Sequence, residues 1–210
     1  MIKKVIFRGI KFSNFDKLFF SNIIKRKGLF VFPSGPGLSN INDDKKYLDA
    51  LKKSDFVFFD SGYFVLLLKI LKNINVKKFS GYLFLKLLFN YLKKNPKYKV
   101  LSVDPNLKFS VNNRNFFINL GMYKKNIFNY VSPIYHHSKI IDKKLLKISN
   151  KIKPDYIILN LGGGIQEILG LYLKKNLKKR TKIICTGAAI SFFTRDQAPI
   201  NLIFDRFYFG

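Results

Sequence analysis

The sequence predicts an α/β fold in which a mostly parallel sheet carries helices on both of its faces. Its 210 residues, 48% of them hydrophobic, are enough to bury one substantial core. Short apolar runs rich in β-branched and aromatic residues alternate with longer segments whose apolar residues have helical spacing. The short runs are continuously apolar, as in strands that are covered on both faces. We therefore expect a Rossmann-like architecture in a single domain, residues 1–210.

The expected elements follow in chain order. Strands are predicted at residues 29–32, 56–59, 99–103, 156–159 and 182–185, and helices at residues 43–53, 64–71, 82–92, 142–151 and 166–177. The first helix has Asn42 as its expected N-cap, acidic residues in its first turn and lysines in its last turn. Neither a repeat nor a low-complexity linker interrupts the alternation.

The charge of the chain is strongly positive. Lysine and arginine number 39 against 12 acidic residues, which gives a net charge of +27. A field of this sign favours a polyanionic partner: nucleic acid, an anionic membrane surface or a phosphorylated ligand. The competing explanation is a genome rich in A and T, whose codons supply solvated lysines. The excess of lysine over arginine disfavours base readout, which prefers the bidentate fork of arginine.

Cysteine content and apolar run length indicate a soluble or peripheral protein of a reducing compartment. Cys185 is the one cysteine, so no intramolecular disulfide can form. The longest apolar runs are broken by Lys69 and Lys86, and neither approaches the roughly 20 residues that span a bilayer. The N-terminus has no uninterrupted apolar core of the signal-peptide type.

Small and polar residues accumulate immediately after the expected strands. These loops begin at Ser34, Asp60, Asp104, Gly162 and Thr186. In an open α/β sheet, ligands bind outside the carboxyl ends of the strands, although any one such loop is also an ordinary turn. Five of them together predict a binding crevice.

Several common site types do not fit the sequence. It contains no G-x-x-x-x-G-K-[ST] phosphate loop, and the run G-G-G-I-Q-E departs from the dinucleotide pattern G-x-G-x-x-G. The two histidines, His136 and His137, are adjacent, a spacing that rarely serves one metal ion. Cys185 ends an apolar strand, where packing is its simplest role.

Several blocks of the chain match one known family in their order and rough spacing. They are SDFVFFDSGYFVLLLK, FSGYLFLKLL, PDYIILNLGGGIQE and IICTGAAISFFTRDQAPINLIFDRFYFG, together with the loop at Ser34. Over residues 28–210 the chain resembles the bacterial WecG/TagA/CpsF glycosyltransferases, glycosyltransferase family 26. Family members continue beyond FDRFYFG in a basic, aromatic segment, so we expect either a truncated chain or a different location for the function of that segment.

The resemblance implies a function. Family members transfer an N-acetylmannosamine-type or related sugar from a UDP-sugar to a polyprenyl-diphosphate-linked acceptor, with inversion and without a metal or other cofactor, in cell-surface polysaccharide synthesis. It also implies a cytoplasmic, peripheral location at the inner face of a bacterial cell membrane. The donor sugar, the acceptor and the oligomeric state, a homo-oligomer included, are left open.

The resemblance also assigns roles to individual residues. Asp60 matches the proposed general base, and an inverting transfer needs one carboxylate near the acceptor hydroxyl; the alternative is a turn or helix-capping aspartate. The expected substrate-binding residues are Ser34, Gly162, Gly163, Gly164, Gln166, Glu167, Thr186, Gly187, Arg195 and Gln197. The match is loose at three places: the Ser34 loop, Gly164-Ile165 in place of Pro-Lys, and Gln197 in place of Arg.

Glu167, the one glutamate of the chain, has two interpretations. Backbone N–H groups and a helix N-terminus at residues 162–164 could hold a diphosphate. A glutamate that faced the same diphosphate would repel it. We therefore expect Glu167 either to contact the sugar or nucleoside hydroxyls or to act only at the helix start, where its charge favours the dipole.

Two further questions concern partners. Residues 65–68 and 83–88 are apolar and flanked by lysines, which fits either interfacial docking on an anionic membrane or the core. The competing function is a basic nucleic-acid-binding or non-catalytic protein. The lysines are dispersed and no nucleic-acid-binding motif is present, so we expect no specific nucleic acid partner.

Overall fold

A computed structural model describes residues 3–39, 41–136 and 140–197, and its centre is one eight-stranded sheet. In chain order the strands are β1 Lys3–Phe7, β2 Ile10–Asn14, β3 Gly28–Val31, β4 Phe56–Phe58, β5 Val100–Asp104, β6 Ile127–Val131, β7 Tyr156–Leu159 and β8 Lys182–Cys185. Their order across the sheet is β1-β2-β4-β3-β8-β7-β5-β6. Only β1 pairs antiparallel, with β2, so the predicted mostly parallel α/β fold is confirmed.

Helices cover both faces of the sheet, as predicted. They are α1 Phe20–Ile23, α2 Gly35–Ser39, α3 Lys45–Lys52, α4 Gly62–Lys72, α5 Gly81–Lys94, α6 Leu107–Asn119, α7 Lys143–Ile152, α8 Ile165–Asn176 and α9 Ser191–Thr194. One core lies between the sheet and α3, α4, α7 and α8. A second core, rich in phenylalanine, lies on the opposite face under α1, α5 and α6.

Several helices begin at a side chain that accepts a hydrogen bond from the first turn. Ser61 starts α4, Ser80 starts α5, Asn106 starts α6 and Asp142 starts α7 in this way. The expected cap of α3, Asn42, is wrong. Asp44 caps that helix, since its Oδ1 accepts from the Tyr47 N–H at 2.9 Å.

Seven of these strands and helices were not expected from the sequence: β1, β2, β6, α6 and the short helices α1, α2 and α9. The first two form a hairpin whose turn, Arg8-Gly9, has both residues in the left-handed region, with φ of 50° and 77°. Charged residues interrupt the apolar pattern of this hairpin, so the sequence pattern did not predict its two strands. Helix α6 carries four asparagines, residues with low helix propensity.

The segments weighed as membrane-docking surface or core contribute to both the core and the surface. Val65 and Leu68 of α4 and Leu85 and Leu88 of α5 are buried, whereas Leu66 of α4 is exposed. The parallel strands all end at the same edge of the sheet, and β4, β3, β8 and β7 are consecutive neighbours there. The loops that begin near Asp60, Ser34, Thr186 and Gly162 therefore follow adjacent strands, as the crevice prediction requires.

Candidate active site

Asp60 joins the loop after β4 to the start of helix α5. Its Oδ1 accepts a hydrogen bond from the backbone N–H of Gly81, the first residue of α5, at 2.8 Å. The side chain is half-buried at the edge of the sheet, and its carboxylate faces the positive end of the α5 dipole. The capping interpretation of Asp60 is therefore confirmed as a structural role, and this bond also fixes the orientation of the carboxylate.

Gly81 brings Thr186, at the end of β8, beside this aspartate. A Cβ atom at Gly81 would lie 3.3 Å from the Thr186 Cγ2 atom, so the Gly81 backbone packs closely against the Thr186 side chain. The Thr186 hydroxyl is buried and has no hydrogen-bond partner among the described residues. Gly81 thus contacts both Asp60, in the loop after β4, and Thr186, the residue that follows β8.

Gln166 connects the loop after β8 to the loop after β7. Its Oε1 accepts from the backbone N–H of Gly187 at 2.8 Å, and its Nε2 donates to Glu167 Oε1 at 3.0 Å. The side chain is buried, so both amide atoms are used inside the protein. Gln166 therefore sets the position of Gly187 relative to the start of α8.

Glu167 is buried at the start of α8, where its exposed fraction is 1%. Its Oε2 accepts from the backbone N–H of Gly164 at 2.7 Å. Burial raises the pKa of the Glu167 carboxyl to about 7, against the opposing effect of its hydrogen bonds. These are the contacts of a helix-capping residue. The expected contact with a sugar or nucleoside hydroxyl is not tested by them and stays a prediction.

The three glycines before α8 play different parts. Gly164 has a φ of 84°, which L side chains rarely adopt, so the turn into the helix requires glycine there. Gly162 and Gly163 are exposed, and a Cβ atom at either would meet open space. Their backbone N–H groups donate to no other described residue. Two backbone donors without a partner among the described residues therefore lie just before α8, at the edge of the sheet.

The loop after β3 approaches the loop after β4. A Cβ atom at Gly35 would lie 3.0 Å from the Ser61 Oγ atom, and Ser61 directly follows Asp60 in the chain. The Ser34 side chain is exposed beside this contact, and its carbonyl accepts from the Leu38 N–H at 3.1 Å. The structure thus brings the loop of Ser34 next to that of Asp60.

Arg195 and Gln197 lie at the end of α9, which packs on helices α5 and α6. The ring of Phe193 stacks on Tyr82, the residue after Gly81, with centroids 4.8 Å apart. Arg195 and Gln197 are exposed, and no contact among the described residues joins either to Asp60. Ala198 and Pro199, which completed the sequence match here, lie outside the described residues.

The description "Glycosyl transferase WecG/TagA/CpsF family" belongs to a family model that matches residues 5–209 of the chain. The chain belongs to this family. The match starts earlier than the expected residue 28 and includes most of the β1–β2 hairpin, which is part of the sheet because β2 pairs with β4. No curated protein matches the chain. Members of the WecG/TagA/CpsF family are glycosyltransferases of cell-surface polysaccharide synthesis. The chain therefore belongs to a family that transfers a sugar from a donor to an acceptor.

In this WecG/TagA/CpsF chain, Tyr47 on α3 lies beside the candidate site. The sequence did not predict this position for Tyr47. It is buried against Gly37, whose added Cβ would lie 3.0 Å from the Tyr47 hydroxyl. Burial raises the pKa of that hydroxyl, and the charge of nearby Glu167 raises it further. In the sequence, Tyr47 is only one apolar position of an amphipathic helix, so no pattern marked it.

Asp104, expected to border the crevice, is instead buried at the end of β5. Its carboxylate accepts from Asn113 at 2.6 Å, from Ser102 and Asn160 at 2.8 Å each, and from Asn129 at 3.2 Å. Asn113 lies on α6, Ser102 on β5 and Asn129 on β6. Asn160 directly follows β7. Asp104 therefore holds the elements beside the site in place.

Neither a metal cluster nor a membrane span is found in the described part of the chain. No three His, Cys, Asp or Glu side chains within residues 3–39, 41–136 and 140–197 are grouped so that they could hold a metal ion. His136 is exposed, and His137 lies outside the described residues. No described helix is long and apolar enough to cross a bilayer.

Proposed function

We propose that the chain transfers a sugar, of the N-acetylmannosamine type or related, from a UDP-sugar to a polyprenyl-diphosphate-linked acceptor. The transfer inverts the anomeric centre and uses neither a metal ion nor another cofactor. The observation that carries the proposal is the oriented Asp60 carboxylate at the edge of the sheet, between neighbouring loops of a member of this glycosyltransferase family. The proposed place of action is the cytoplasmic face of the membrane.

Asp60 is the general base of this proposal. Its carboxylate takes the proton from the acceptor hydroxyl while the hydroxyl oxygen bonds to the anomeric carbon. The bond from that carbon to the donor phosphate oxygen breaks in the same step, and UDP leaves with the electron pair. One displacement inverts the anomeric centre and needs one carboxylate. The hydrogen bond from Gly81 at 2.8 Å supports this role, because it holds one carboxylate oxygen at a fixed place.

The donor binds on the side of β7 and β8 in this proposal. The exposed N–H groups of Gly162 and Gly163 precede the 12-residue helix α8 and suit a diphosphate. The Glu167 carboxylate is engaged with Gly164 and buried, so it does not compete for that place. Gln166, Thr186 and Gly187 form the adjoining wall. Ser34, Arg195 and Gln197 complete the proposed substrate-binding residues.

Two substitutions at Asp60 test the proposal. Asp60→Asn keeps an oxygen that accepts from the Gly81 N–H but removes the base, so we expect turnover to fall by about 10²- to 10⁴-fold with little change in thermal stability. Asp60→Ala also removes the bond to α5 and should lose both turnover and stability. The measurements are UDP release with a polyprenyl-diphosphate acceptor mimic, and thermal unfolding followed by circular dichroism.

The competing function, a basic nucleic-acid-binding protein, gives different results in the same experiments. Turnover that survives both substitutions unchanged would refute Asp60 as general base. Absence of UDP binding, together with RNA binding that weakens steeply as salt rises, would replace the glycosyltransferase proposal. Nucleic acid binding is not part of the function proposed for this chain.

A further inference from the structure

Helix α4 is apolar on two sides, although only one of them packs on the sheet. Phe64, Val65 and Leu68 lie in the core. On the opposite side, an exposed stripe with helical spacing is formed by Tyr63, Leu66, Ile70 and Leu71. A contiguous exposed apolar stripe on a surface helix is typical of a contact with an apolar partner.

A groove of about 240 Å³ lies along this helix, between α4, α2 and the turn of the β1–β2 hairpin. Its walls are mostly apolar, and its charged members are cations. The described residues that line it are Phe7, Arg8, Gly35, Leu38, Ser39, Ser61, Tyr63, Phe64, Leu67, Leu68, Leu71 and Lys72. No carboxylate is among them, so an apolar ligand accompanied by anionic groups matches this groove in charge.

One end of the groove reaches the candidate active site. Gly35 and Ser61 line it there, and Ser61 follows Asp60 directly. Helix α4 has 11 residues and is therefore about 16 Å long. At its far end, Leu71 and Lys72 line the groove. The groove thus runs from Ser61, the residue after the proposed general base, to the far end of α4.

We propose that this groove binds the isoprenoid chain of the acceptor lipid, an inference that rests on the proposed function. In this arrangement the acceptor sugar places its hydroxyl at Asp60, and the diphosphate follows at the Ser61 end of the groove. The isoprenoid chain then lies along α4, and its distal units leave beside Leu71. Arg8 and Lys72 pair with anionic lipid headgroups where the chain enters the bilayer. The exposed stripe of α4 inserts into the membrane surface at the same place.

Other occupants fit the groove less well. A second copy of this chain would bring the same net charge of +27 to a face that already carries cations. An extended peptide would need polar partners for its backbone, and most of the lining side chains are apolar. An isoprenoid chain needs no such partners.

Leu71→Glu tests the proposal with two acceptors that differ only in their lipid. One is a long-chain polyprenyl-diphosphate-linked sugar and the other is its single-isoprene analogue, both in the same non-ionic detergent so that vesicle binding does not contribute. We expect the KM for the long-chain acceptor to rise about tenfold. The KM for the short analogue, the KM for the UDP-sugar and kcat should stay unchanged.

Leu18→Glu is the matched control. Leu18 is 78% exposed, as Leu71 is 69% exposed, but it precedes α1, which packs on the other face of the sheet. This variant should leave every constant unchanged. An equal rise of both acceptor KM values in Leu71→Glu, or no rise, would overturn the proposal. Self-association of the wild type that Leu71→Glu abolishes in sedimentation would assign the face to a second copy instead.

A cross-linking readout separates failure of the groove from failure of the proposed function. A diazirine-bearing polyprenyl diphosphate should label residues 63–71 of the wild type, and Leu71→Glu should reduce that labelling. If residues 63–71 are labelled but no UDP-sugar is turned over, the groove binds the lipid and the proposed transferase activity is refuted. If UDP-sugar is turned over but the label lies elsewhere, the transferase activity stands and the proposal that this groove binds the lipid is refuted.

Discussion

Glu167 couples a buried charge to the start of helix α8. Its pKa is raised to about 7 by burial, from an ordinary value near 4.5. The folded state therefore binds more protons than the unfolded state between these two pH values. The stabilisation that the Glu167 carboxyl contributes to the folded state is fully present below about pH 4.5. It is lost as pH rises through about 7. The direction is opposite to that of a carboxylate held by an ion pair.

Glu167→Gln reveals this dependence. The variant keeps the size of the side chain but has no proton to lose, although it gives up one of the two hydrogen bonds. We expect the free energy of unfolding of the wild type, relative to the variant, to fall by about 2–3 kcal/mol between pH 5 and pH 8. Urea denaturation at both pH values measures it. A difference in the free energy of unfolding between wild type and variant that is the same at pH 5 and pH 8 would contradict the raised pKa.

At the scale of elements, the Asp104 cluster joins parts of the chain that are distant in sequence. Asn160 donates to Asp104 across 56 residues, and Asn129 donates across 25. Three strands and α6 therefore depend on one buried carboxylate for their relative placement beside the site. No periodicity in the sequence predicts such a cluster, because its partners are brought together only by the order of the strands.

Asp104→Asn tests the cluster. The substitution places an amide N–H₂ group where the carboxylate accepts hydrogen bonds, so at least one buried donor faces another donor. We expect a loss of about 2–4 kcal/mol in the free energy of unfolding, measured by urea denaturation. Asp49→Asn is the control, because Asp49 forms only an exposed ion pair with Lys53 on one helix. The free energy of unfolding should fall by less than about 0.5 kcal/mol in Asp49→Asn. Equal losses in the two variants would contradict a stabilising role for the Asp104 cluster.

At the scale of the whole molecule, the sequence predicted the central sheet but not its edges. Continuous apolar runs identified β3, β4, β5, β7 and β8, because strands buried on both faces leave no polar alternation. The hairpin β1–β2 and strand β6 lie at the two ends of the sheet, where exposure weakens that signal.

The candidate site was only partly predictable for a related reason. Glycines and polar residues after strands marked Asp60, Gly162 and Thr186, since strand ends carry ligands in this architecture. Which loops are neighbours depends on the strand order, which local pattern does not encode. The burial of Gln166 and Glu167 could not be foreseen either, because their partners Gly187 and Gly164 are backbone groups.

The net charge of the molecule leads to a prediction about membranes. With +27, the chain should bind vesicles that contain anionic lipid and bind neutral phosphatidylcholine vesicles only weakly. Binding should weaken steeply from about 50 mM to about 500 mM salt, because the Debye length shortens from roughly 14 Å to 4 Å. Vesicle co-sedimentation measures this. Anionic-vesicle binding that is insensitive to salt would contradict an electrostatic attraction.

The burial of Cys185 gives the chain a built-in reporter. It is the single thiol of the sequence, it ends β8 with no exposed surface, and its Sγ donates to the Gln166 carbonyl at 3.4 Å. Burial raises the pKa of this thiol, which keeps it protonated and slow to react. A thiol reagent reaches it when the packing of α8 on β8 opens locally or when the chain unfolds. The rate of modification therefore measures how often the protein opens beside the proposed donor-binding loops, with no label added to the protein.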